Sequence, residues 1–254
     1  MKSNNNQERL RSIFILFLPA CLLLAVVSII GPAARAAEEN ITFEVRHDHA
    51  IGSCRGALIL SDSGVSYQTD HRKDARSWKF EDIAEWRIES DKRLRIFTYE
   101  DRKWRLGADK PFEFELTAAN ANAEQLYAFL KSHTNRPIAA WLAPTAALPA
   151  RYEFTVKHQG TIVGNQGRLI FTDAEVIYRS ADRQASRTWR YEDLESIASA
   201  GIYDLTLSTY EQEKFHYASR RVYNFQLKEA LPRETYDELW RFVIGKKGLA
   251  AVSR

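Results

Sequence analysis

The chain has 254 residues, of which 45% are hydrophobic and 12% aromatic, and its 36 Lys and Arg against 33 Asp and Glu give a formal net charge of +3. With seven Pro, 11 Gly and two Cys, this ordinary globular composition excludes collagen-like, disordered and disulfide-rich classes of protein. It excludes few classes of function.

The N-terminus has the three parts of an export signal. Lys2, Arg9 and Arg11 make a basic start, and an apolar run of 18 residues follows from Ile13 to Ile30. Ala34-Arg35-Ala36 then has the small-residue pattern of a cleavage site. Residues 1–36 are therefore predicted to be a signal peptide, and the protein to be periplasmic or extracellular. Because the apolar run is close to the length that spans a bilayer, an uncleaved membrane anchor is the alternative.

Removal of residues 1–36 would take away four basic side chains and one acidic one, leaving 32 of each sign. A neutral chain gives no long-range electrostatic support for binding nucleic acid, so no nucleic-acid partner is predicted. Cys21 would leave with the signal, although it ends a sequence that resembles a lipoprotein cleavage box. Cys54 would then be alone, and a small buried residue is favoured over a reactive thiol or an interchain disulfide.

The rest of the chain repeats itself at an offset of 111 residues. Phe43–His47 matches Phe154–His158, and Trp78–Ile83 matches Trp189–Leu194 at the same offset. Two copies of this length favour a tandem duplication of a folding unit over a solenoid. The predicted domains are residues 41–133 and 151–247. Residues 134–150, which contain three prolines, are predicted to be an extended Pro/Ala linker.

Each copy is predicted to contain about seven short antiparallel strands and a C-terminal helix. In chain order, the strands of the first copy are expected near residues 41–47, 56–60, 65–69, 76–80, 93–99, 102–106 and 112–116. Apolar and polar residues alternate in Phe112–Leu116 and in Tyr223–Lys228, which is typical of a strand with one buried face. Apolar residues at helical spacing predict helices at Ala123–Lys131 and Arg233–Ile244.

The segment Gly56–Tyr67 and its repeat Gly167–Tyr178 resemble the strand-turn-strand hairpin of GRAM and bacterial PH-like domains. The Trp78–Ile83 stretch and its repeat are similar to the strand and turn that follow the hairpin there. The fold class that this resemblance implies is mainly β with one C-terminal helix per domain (α+β), arranged as two tandem PH-like, partly open barrels. It implies no activity, since such folds carry many unrelated functions.

Two patterns could carry chemistry. His47 and His49 lie two apart on a strand and could form half of a metal site, but Gly160 replaces the second His in the other copy and no spaced motif supplies further ligands. The adjacent carboxylates Glu81-Asp82 and Glu192-Asp193 could serve as acid and base, but a capping or turn role is favoured because adjacent side chains on an extended segment point apart. No catalytic, cofactor-binding or metal-binding residue is therefore predicted, and no cofactor.

The densest basic positions raise the question of a binding surface. Eukaryotic PH domains bind phosphoinositides through basic residues in early loops, but here acidic residues interleave the basic ones and a solvated surface is favoured. The possible surface-binding residues are Arg72, Lys73, Arg76, Arg183 and Arg187.

These features predict a non-enzymatic exported binding or scaffold module. A protein or peptide partner is favoured, because an exposed sheet edge or the groove beside a helix can accept an extended segment. Association with a lipid or envelope surface is one alternative, and a hydrolase with a site between the domains is another. The sequence leaves the oligomeric state open.

Overall fold

The computed structural model describes residues 40–49, 52–102, 105–117, 122–160, 164–212 and 220–248. The predicted signal peptide, residues 1–36, lies outside them. The first copy of the repeat contains seven strands followed by a helix. They are β1 (Ile41–Asp48), β2 (Ser53–Ser61), β3 (Gly64–Thr69), β4 (Arg76–Lys79), β5 (Ile83–Ser90), β6 (Arg93–Arg102), β7 (Arg105–Leu116) and α1 (Ala123–His133).

The linker contributes one strand, and the second copy repeats the pattern of the first. The elements are β8 (Ile138–Ala140), β9 (Tyr152–His158), β10 (Asn165–Phe171), β11 (Glu175–Ser180), β12 (Arg187–Arg190), β13 (Leu194–Ala198), β14 (Asp204–Gln212), β15 (Arg220–Leu227) and α2 (Arg233–Lys246). Neither helix of the described residues combines the length and the apolar character that crossing a membrane would need.

All fifteen described strands belong to one hydrogen-bonded sheet, in the order β13-β14-β15-β9-β10-β11-β12-β8-β5-β6-β7-β1-β2-β3-β4. The prediction of two tandem PH-like, partly open barrels is therefore wrong, because the strands form a single long sheet that is not closed. The linker is the physical reason. Its residues Ile138–Ala140 pair in parallel with β5 and, through Ala140 and Thr188, antiparallel with β12, so they join the strands of the two copies.

Two strands of the first copy differ from their predicted positions. Arg105–Leu116 is one strand, where the sequence predicts two, and Ile83–Ser90 is a strand that the sequence does not predict. In β5, Glu85 and Arg87 obscure the alternation of buried apolar and exposed polar residues that would indicate a strand, because both charged side chains are buried. They form an ion pair, with the Arg87 Nη2 2.6 Å from the Glu85 Oε1. A buried ion pair gives a buried strand the charged composition of an exposed one.

Each copy encloses its own hydrophobic core, and several core residues recur at the repeat offset. The first core contains Leu58, Leu94 and Phe114, covered by α1 through Leu126 and Leu130. The second contains the equivalent residues Leu169, Leu205 and Phe225, covered by α2 through Leu239 and Val243. The helices lie where the apolar spacing of the sequence predicts them.

Replacing Gly167 by Ala is expected to lower the free energy of unfolding by about 1–3 kcal/mol, the usual cost of forcing extra volume into a packed site. A Cβ at Gly167 would collide with the backbone carbonyl oxygen of Arg179 on the facing strand, and one at Gly56 would collide with that of Gln68. Urea unfolding measures the loss. Gly201→Ala is the control, because its Cβ would lie 3.6 Å from the nearest atom, Asp204 Oδ2. Equal unfolding midpoints for the two variants would contradict the prediction.

Candidate functional site

The linker strand β8 occupies an edge of the first copy by adding itself to β5. It aligns in parallel with Trp86–Ile88. The Trp86 N–H donates to the Pro137 carbonyl oxygen at 2.9 Å, and the Trp141 N–H donates to the Ile88 carbonyl oxygen at 2.8 Å. A three-residue segment is thus held on the sheet by backbone hydrogen bonds at both of its ends.

The residues of β8 suit this buried position. Ile138 and Ala140 belong to the first core and are 1% and 0% exposed, while Ala139 between them is also buried. Pro137 precedes the strand, where its missing N–H leaves no ladder bond unmade. Small side chains let helix α1 pack against β8 as well as against β5. The arrangement is a short apolar segment that lies between strands β5 and β12 and packs against helix α1.

Strand β13 is the counterpart of β5 in the second copy. The pairing of each strand with its neighbour is interrupted by a bulge after its first residue, Ile83 in β5 and Leu194 in β13. Helix α2 packs against β13 as α1 packs against β5. Because bulge, partner strand and helix all match, Ile197 and Ala198 correspond in geometry to Trp86 and Arg87. Ser199, at the position of Ile88, lies just beyond the end of β13.

The outer edge of β13 differs from that of β5 in what covers it. β13 is the last strand of the sheet, and no strand of the described ranges pairs with its outer side. Lys247 Nζ donates to the Glu195 carbonyl oxygen at 2.5 Å near the start of the strand. The end of the strand, Ile197–Ala198, and Ser199 after it correspond in sequence to the part of β5 bound by the linker, and carry no added strand within the described residues.

A cavity of about 400 Å³ adjoins this edge. It is lined by Ser199–Ile202, which follows β13, and by Leu231, Arg233 and Tyr236 at the start of α2. Large apolar side chains lie exposed in the same part of the fold: Ile202 is 56% exposed, Tyr203 50% and Trp240 40%. An open strand edge beside a cavity and exposed apolar groups has the features of a surface that accepts an extended chain.

The five basic residues singled out by the sequence lie in two equivalent turns or directly after them. Arg72 and Lys73 are exposed in the β3–β4 turn, which also places Arg76. In the second copy Arg183 lies in the β11–β12 turn, and Arg187 is the first residue of β12, directly after that turn. Strands β4 and β12 stand eight places apart in the sheet order, so these residues belong to two separate turns. Binding of a surface by them stays a prediction.

Arg76 and Arg187 have the same structural partners. Each guanidinium donates to two carbonyl oxygens of its own turn, at 2.6–2.9 Å. Arg183 has a different environment, because it lines a cavity of about 290 Å³ and its Nη2 lies 4.0 Å from the Asp91 Oδ2 across the junction between the copies. Turn stabilisation therefore accounts for the recurrence of Arg76 at Arg187.

The two carboxylate pairs have different environments. Asp82 Oδ2 accepts a hydrogen bond from the Lys79 N–H at 3.0 Å, which is the turn role that the sequence favours. Asp193 is 5% exposed and receives the Arg190 guanidinium through both carboxylate oxygens at 2.7 and 2.8 Å. The neighbouring Glu192 side chain is 58% exposed. Its Oε1 lies 3.2 Å from the Arg190 Nη1, so Glu192 and Asp193 both contact the Arg190 guanidinium, one from the surface and one from the interior.

The side chains of the histidine pair are in contact: the ring centroids of His47 and His49 lie 4.7 Å apart. Burial lowers the pKa of His47, against the opposing effect of its Nδ1 contact with the Glu113 carbonyl oxygen at 2.8 Å. The fold also brings two residues to His49 that no spacing in the sequence connects with it, Cys54 and Asp74. The sequence signal for them is that all three differ from their counterparts in the second copy.

No family model matches the chain, and no curated protein matches it. Similar solved structures include the C-terminal domain of an unknown protein from Leishmania infantum, 13% identical over 38% of this chain and 84% of that one, with a TM-score of 0.29. The Spt16D Pob3N heterodimer is 12% identical over 67% of this chain and 82% of that one, with a TM-score of 0.29. The hSac2 domain from human phosphoinositide phosphatase Sac2 is 13% identical over 45% and 84%, with a TM-score of 0.28. PH-like folds are thus present among the neighbours, but TM-scores of 0.28–0.29 do not establish the same fold for this chain.

Proposed function

We propose that this protein is a non-enzymatic binding module that accepts an extended segment of another protein as an added strand on β13. The observation that supports the proposal is the linker strand on β5. There the chain adds one of its own segments to the edge of β5, beside helix α1, while the matching edge in the second copy carries no strand in the described part of the chain.

The two parts of the surface would contribute differently. Backbone hydrogen bonds to Ile197–Ser199 would provide affinity with little dependence on sequence, as in other strand-addition complexes. The cavity beside Tyr236 and the exposed Ile202 and Trp240 would select an apolar side chain next to that strand. We expect the bound segment to be short, with small residues where it faces helix α2, because the linker segment has Ile-Ala-Ala there.

The proposal includes a family and a place of action. The hairpins beginning at Gly56 and Gly167 support a relationship to the GRAM and bacterial PH-like proteins. The basic, apolar and small-residue pattern of residues 1–36 supports export to the periplasm or the extracellular space. An exported partner protein, or an extended part of one, is the ligand we infer.

A peptide of residues 136–145 of the chain itself is the probe for this surface. We expect it to bind the protein in trans, and Gly201→Trp to weaken binding at least about tenfold because the indole would fill the cavity that Gly201 lines. Gly201→Ala is the matched control and should bind like the wild type, since its Cβ meets no atom closer than 3.6 Å. Fluorescence anisotropy of the labelled peptide measures both.

Methylation of the peptide nitrogen at Ala139 tests whether the peptide binds as a strand. Loss of one backbone hydrogen bond is expected to weaken binding by up to about tenfold. Equal affinity of the methylated and unmethylated peptides, or of Gly201→Trp and the wild type, would contradict strand addition at β13. Sedimentation with anionic vesicles in the absence of peptide binding would favour the lipid-surface alternative.

A further inference from the structure

A second cluster of side chains lies in the first copy, at the end of the sheet opposite β13. His49 follows β1, Cys54 is the second residue of β2, and Asp74 lies in the turn before β4. Their possible ligand atoms, one nitrogen, one sulfur and one oxygen, all lie within 4.8 Å of one another. His49 Nε2 is 3.0 Å from the Cys54 Sγ and 3.8 Å from the Asp74 Oδ2.

The backbone places the three residues without help from their side chains. The β1–β2 hairpin pairs His47 with Cys54, and the His49 N–H donates to the Gly52 carbonyl oxygen at 2.9 Å to close the turn between them. Gly52 has a φ of 82°, which favours glycine. Another turn holds Asp74, whose N–H donates to the His71 carbonyl oxygen at 2.8 Å. The β1–β2 hairpin and the turn before β4 thus bring the three residues together.

The spacing is close to that of a tetrahedral zinc site. Zinc bonds of about 2.0–2.3 Å to nitrogen, oxygen and sulfur at tetrahedral angles separate the ligand atoms by roughly 3.4–3.6 Å. The contacts of His49 with Cys54 and Asp74, at 3.0 and 3.8 Å, lie on either side of that range. Side-chain shifts of about half an ångström would bring both contacts to the separations that zinc requires. The third pair, Cys54 Sγ and the Asp74 carboxylate oxygen, lies within 4.8 Å and would have to approach by up to about 1.3 Å.

The donor types select among metals. A thiolate and an imidazole favour zinc and other late transition metals over magnesium or calcium, which take oxygen ligands. With the carboxylate, the set carries two negative charges when the thiol is deprotonated, and so matches a divalent cation. Tyr67 lies outside the set with its hydroxyl 3.0 Å from the Cys54 Sγ, where it can donate to a thiolate.

The site is open enough for a metal to enter. Cys54 is 4% exposed, so the sulfur lies at the base of the cluster. The His49 and Asp74 side chains are 25% and 33% exposed and lie toward solvent. Three protein ligands with one side open leave a fourth position for water or for a group of a bound molecule, the arrangement of zinc sites that do more than hold a fold together.

Comparison of the two copies separates this cluster from the residues that the fold requires. His47 and Tyr67 recur as His158 and Tyr178, whose rings also lie together, 5.7 Å apart between centroids. The three cluster residues do not recur: their counterparts are Gly160, Asn165 and Ala185. The hairpin nevertheless keeps its register there, since His158 pairs with Asn165 as His47 pairs with Cys54. The backbone therefore forms without the cluster.

We propose that His49, Cys54 and Asp74 bind a zinc ion through Nε2, Sγ and a carboxylate oxygen, with the fourth position left to water or an exogenous ligand. This site belongs to the first copy alone. It is independent of the strand-binding surface at β13, because its residues lie at the other end of the strand order.

Cobalt(II) is the spectroscopic probe for this site. Chelator-treated protein titrated with Co²⁺ is expected to develop the visible bands of a tetrahedral ion and a near-ultraviolet thiolate-to-cobalt band at one ion per chain. Zn²⁺ should then remove both signals by displacement. A titration that yields no thiolate band would overturn the proposal.

Variants borrowed from the second copy test the individual ligands. Cys54→Asn and Asp74→Ala introduce the residues that the same hairpin and turn already hold in the second copy, and circular dichroism confirms that each variant folds. We expect Cys54→Asn to abolish the thiolate band, and each variant to weaken Zn²⁺ binding beyond the about 10–100-fold that loss of an outer hydrogen bond costs. His133→Ala is the control, since it removes another histidine with a carboxylate partner, Asp62 at 3.1 Å. Unchanged Zn²⁺ affinity in Asp74→Ala and Cys54→Asn would overturn the assignment.

Discussion

Replacing Arg190 by Met is expected to lower the free energy of unfolding by about 3–5 kcal/mol, the usual cost of removing one partner from a buried ion pair. The Arg190 side chain is 2% exposed. Its Nε and Nη2 donate to the two carboxylate oxygens of Asp193 at 2.7 and 2.8 Å. Methionine would fill much of the volume but would leave the carboxylate without its cation.

Arg190 also connects the second copy to the end of helix α1. Its Nη1 donates to the Thr134 carbonyl oxygen at 2.9 Å, and its Nη2 donates to the Arg136 carbonyl oxygen at 2.8 Å. Asp193 adds a bond to the same segment by accepting from the Ile138 N–H at 3.3 Å. The pair therefore positions the start of β8, and its loss should weaken the connection between the copies as well as the second core.

The pH dependence of the loss distinguishes an unpaired charge from lost packing. Burial raises the pKa of Asp193 to about 6, although the Arg190 guanidinium opposes the shift. A carboxyl with a raised pKa in the folded state binds protons that the unfolded chain has released, so its contribution to stability falls as pH rises through that window. Without Arg190 the pKa should rise further, and the destabilisation should be larger at pH 8 than at pH 5.

Urea unfolding of three variants tests this account. Lys79→Met is the matched control, because Lys79 holds the equivalent position in the first copy with a side chain that is 74% exposed, and should change stability by less than about 0.5 kcal/mol. Arg190→Met with Asp193→Asn should be less destabilised at pH 8 than Arg190→Met alone. Equal stability of the single and the double variant at pH 8 would refute the unpaired-charge explanation.

The sequence predicts the parts of the fold that both copies share. The offset of 111 residues correctly pairs core residues such as Leu58 with Leu169 and Phe114 with Phe225, because both copies bury the same face of the same strand. It does not predict how the copies join. Ile138–Ala140 lies between prolines in a segment of linker composition, and only contact with β5 and β12 makes it a strand.

The candidate sites escape prediction for a related reason. Whether a strand such as β13 has an open edge depends on the order of the strands in the sheet. That order is determined by the whole chain and cannot be predicted from the residues of one strand. The donor cluster has no spacing motif, since Cys54 comes five positions after His49 and Asp74 comes 20 positions after Cys54. The sequence does contain a weaker signal, which is that these residues depart from an otherwise matched repeat.

Acidification from pH 6.5 to pH 4 is expected to cost the protein about 2–3 kcal/mol of stability through His158 alone. Burial, together with the positive charges of Arg187 and Arg221, lowers the pKa of His158 from its usual 6.5 to about 4. Each pKa unit of difference between folded and unfolded chain is worth about 1.4 kcal/mol, which we reduce slightly because the ring retains some exposure.

The sign of this effect follows from proton counting. Between pH 6.5 and pH 4 the unfolded chain binds a proton at His158 that the folded protein excludes, so the free energy of unfolding rises with pH across the window and falls on acidification. Stability linked to this group is complete above pH 6.5 and lost near pH 4. His158→Phe should flatten that part of the profile, because phenylalanine keeps the packing against Tyr178, Tyr223 and Phe225 and cannot titrate.

His47→Phe in the first copy is the matched comparison for this prediction. Burial lowers the pKa of His47 as well, but the contact of its Nδ1 with the Glu113 carbonyl oxygen opposes the shift and no arginine adds to it. We therefore expect flattening in the same direction and of smaller size. A His158→Phe variant that still loses as much stability as the wild type between pH 6.5 and pH 4 would assign the acid sensitivity to groups other than His158.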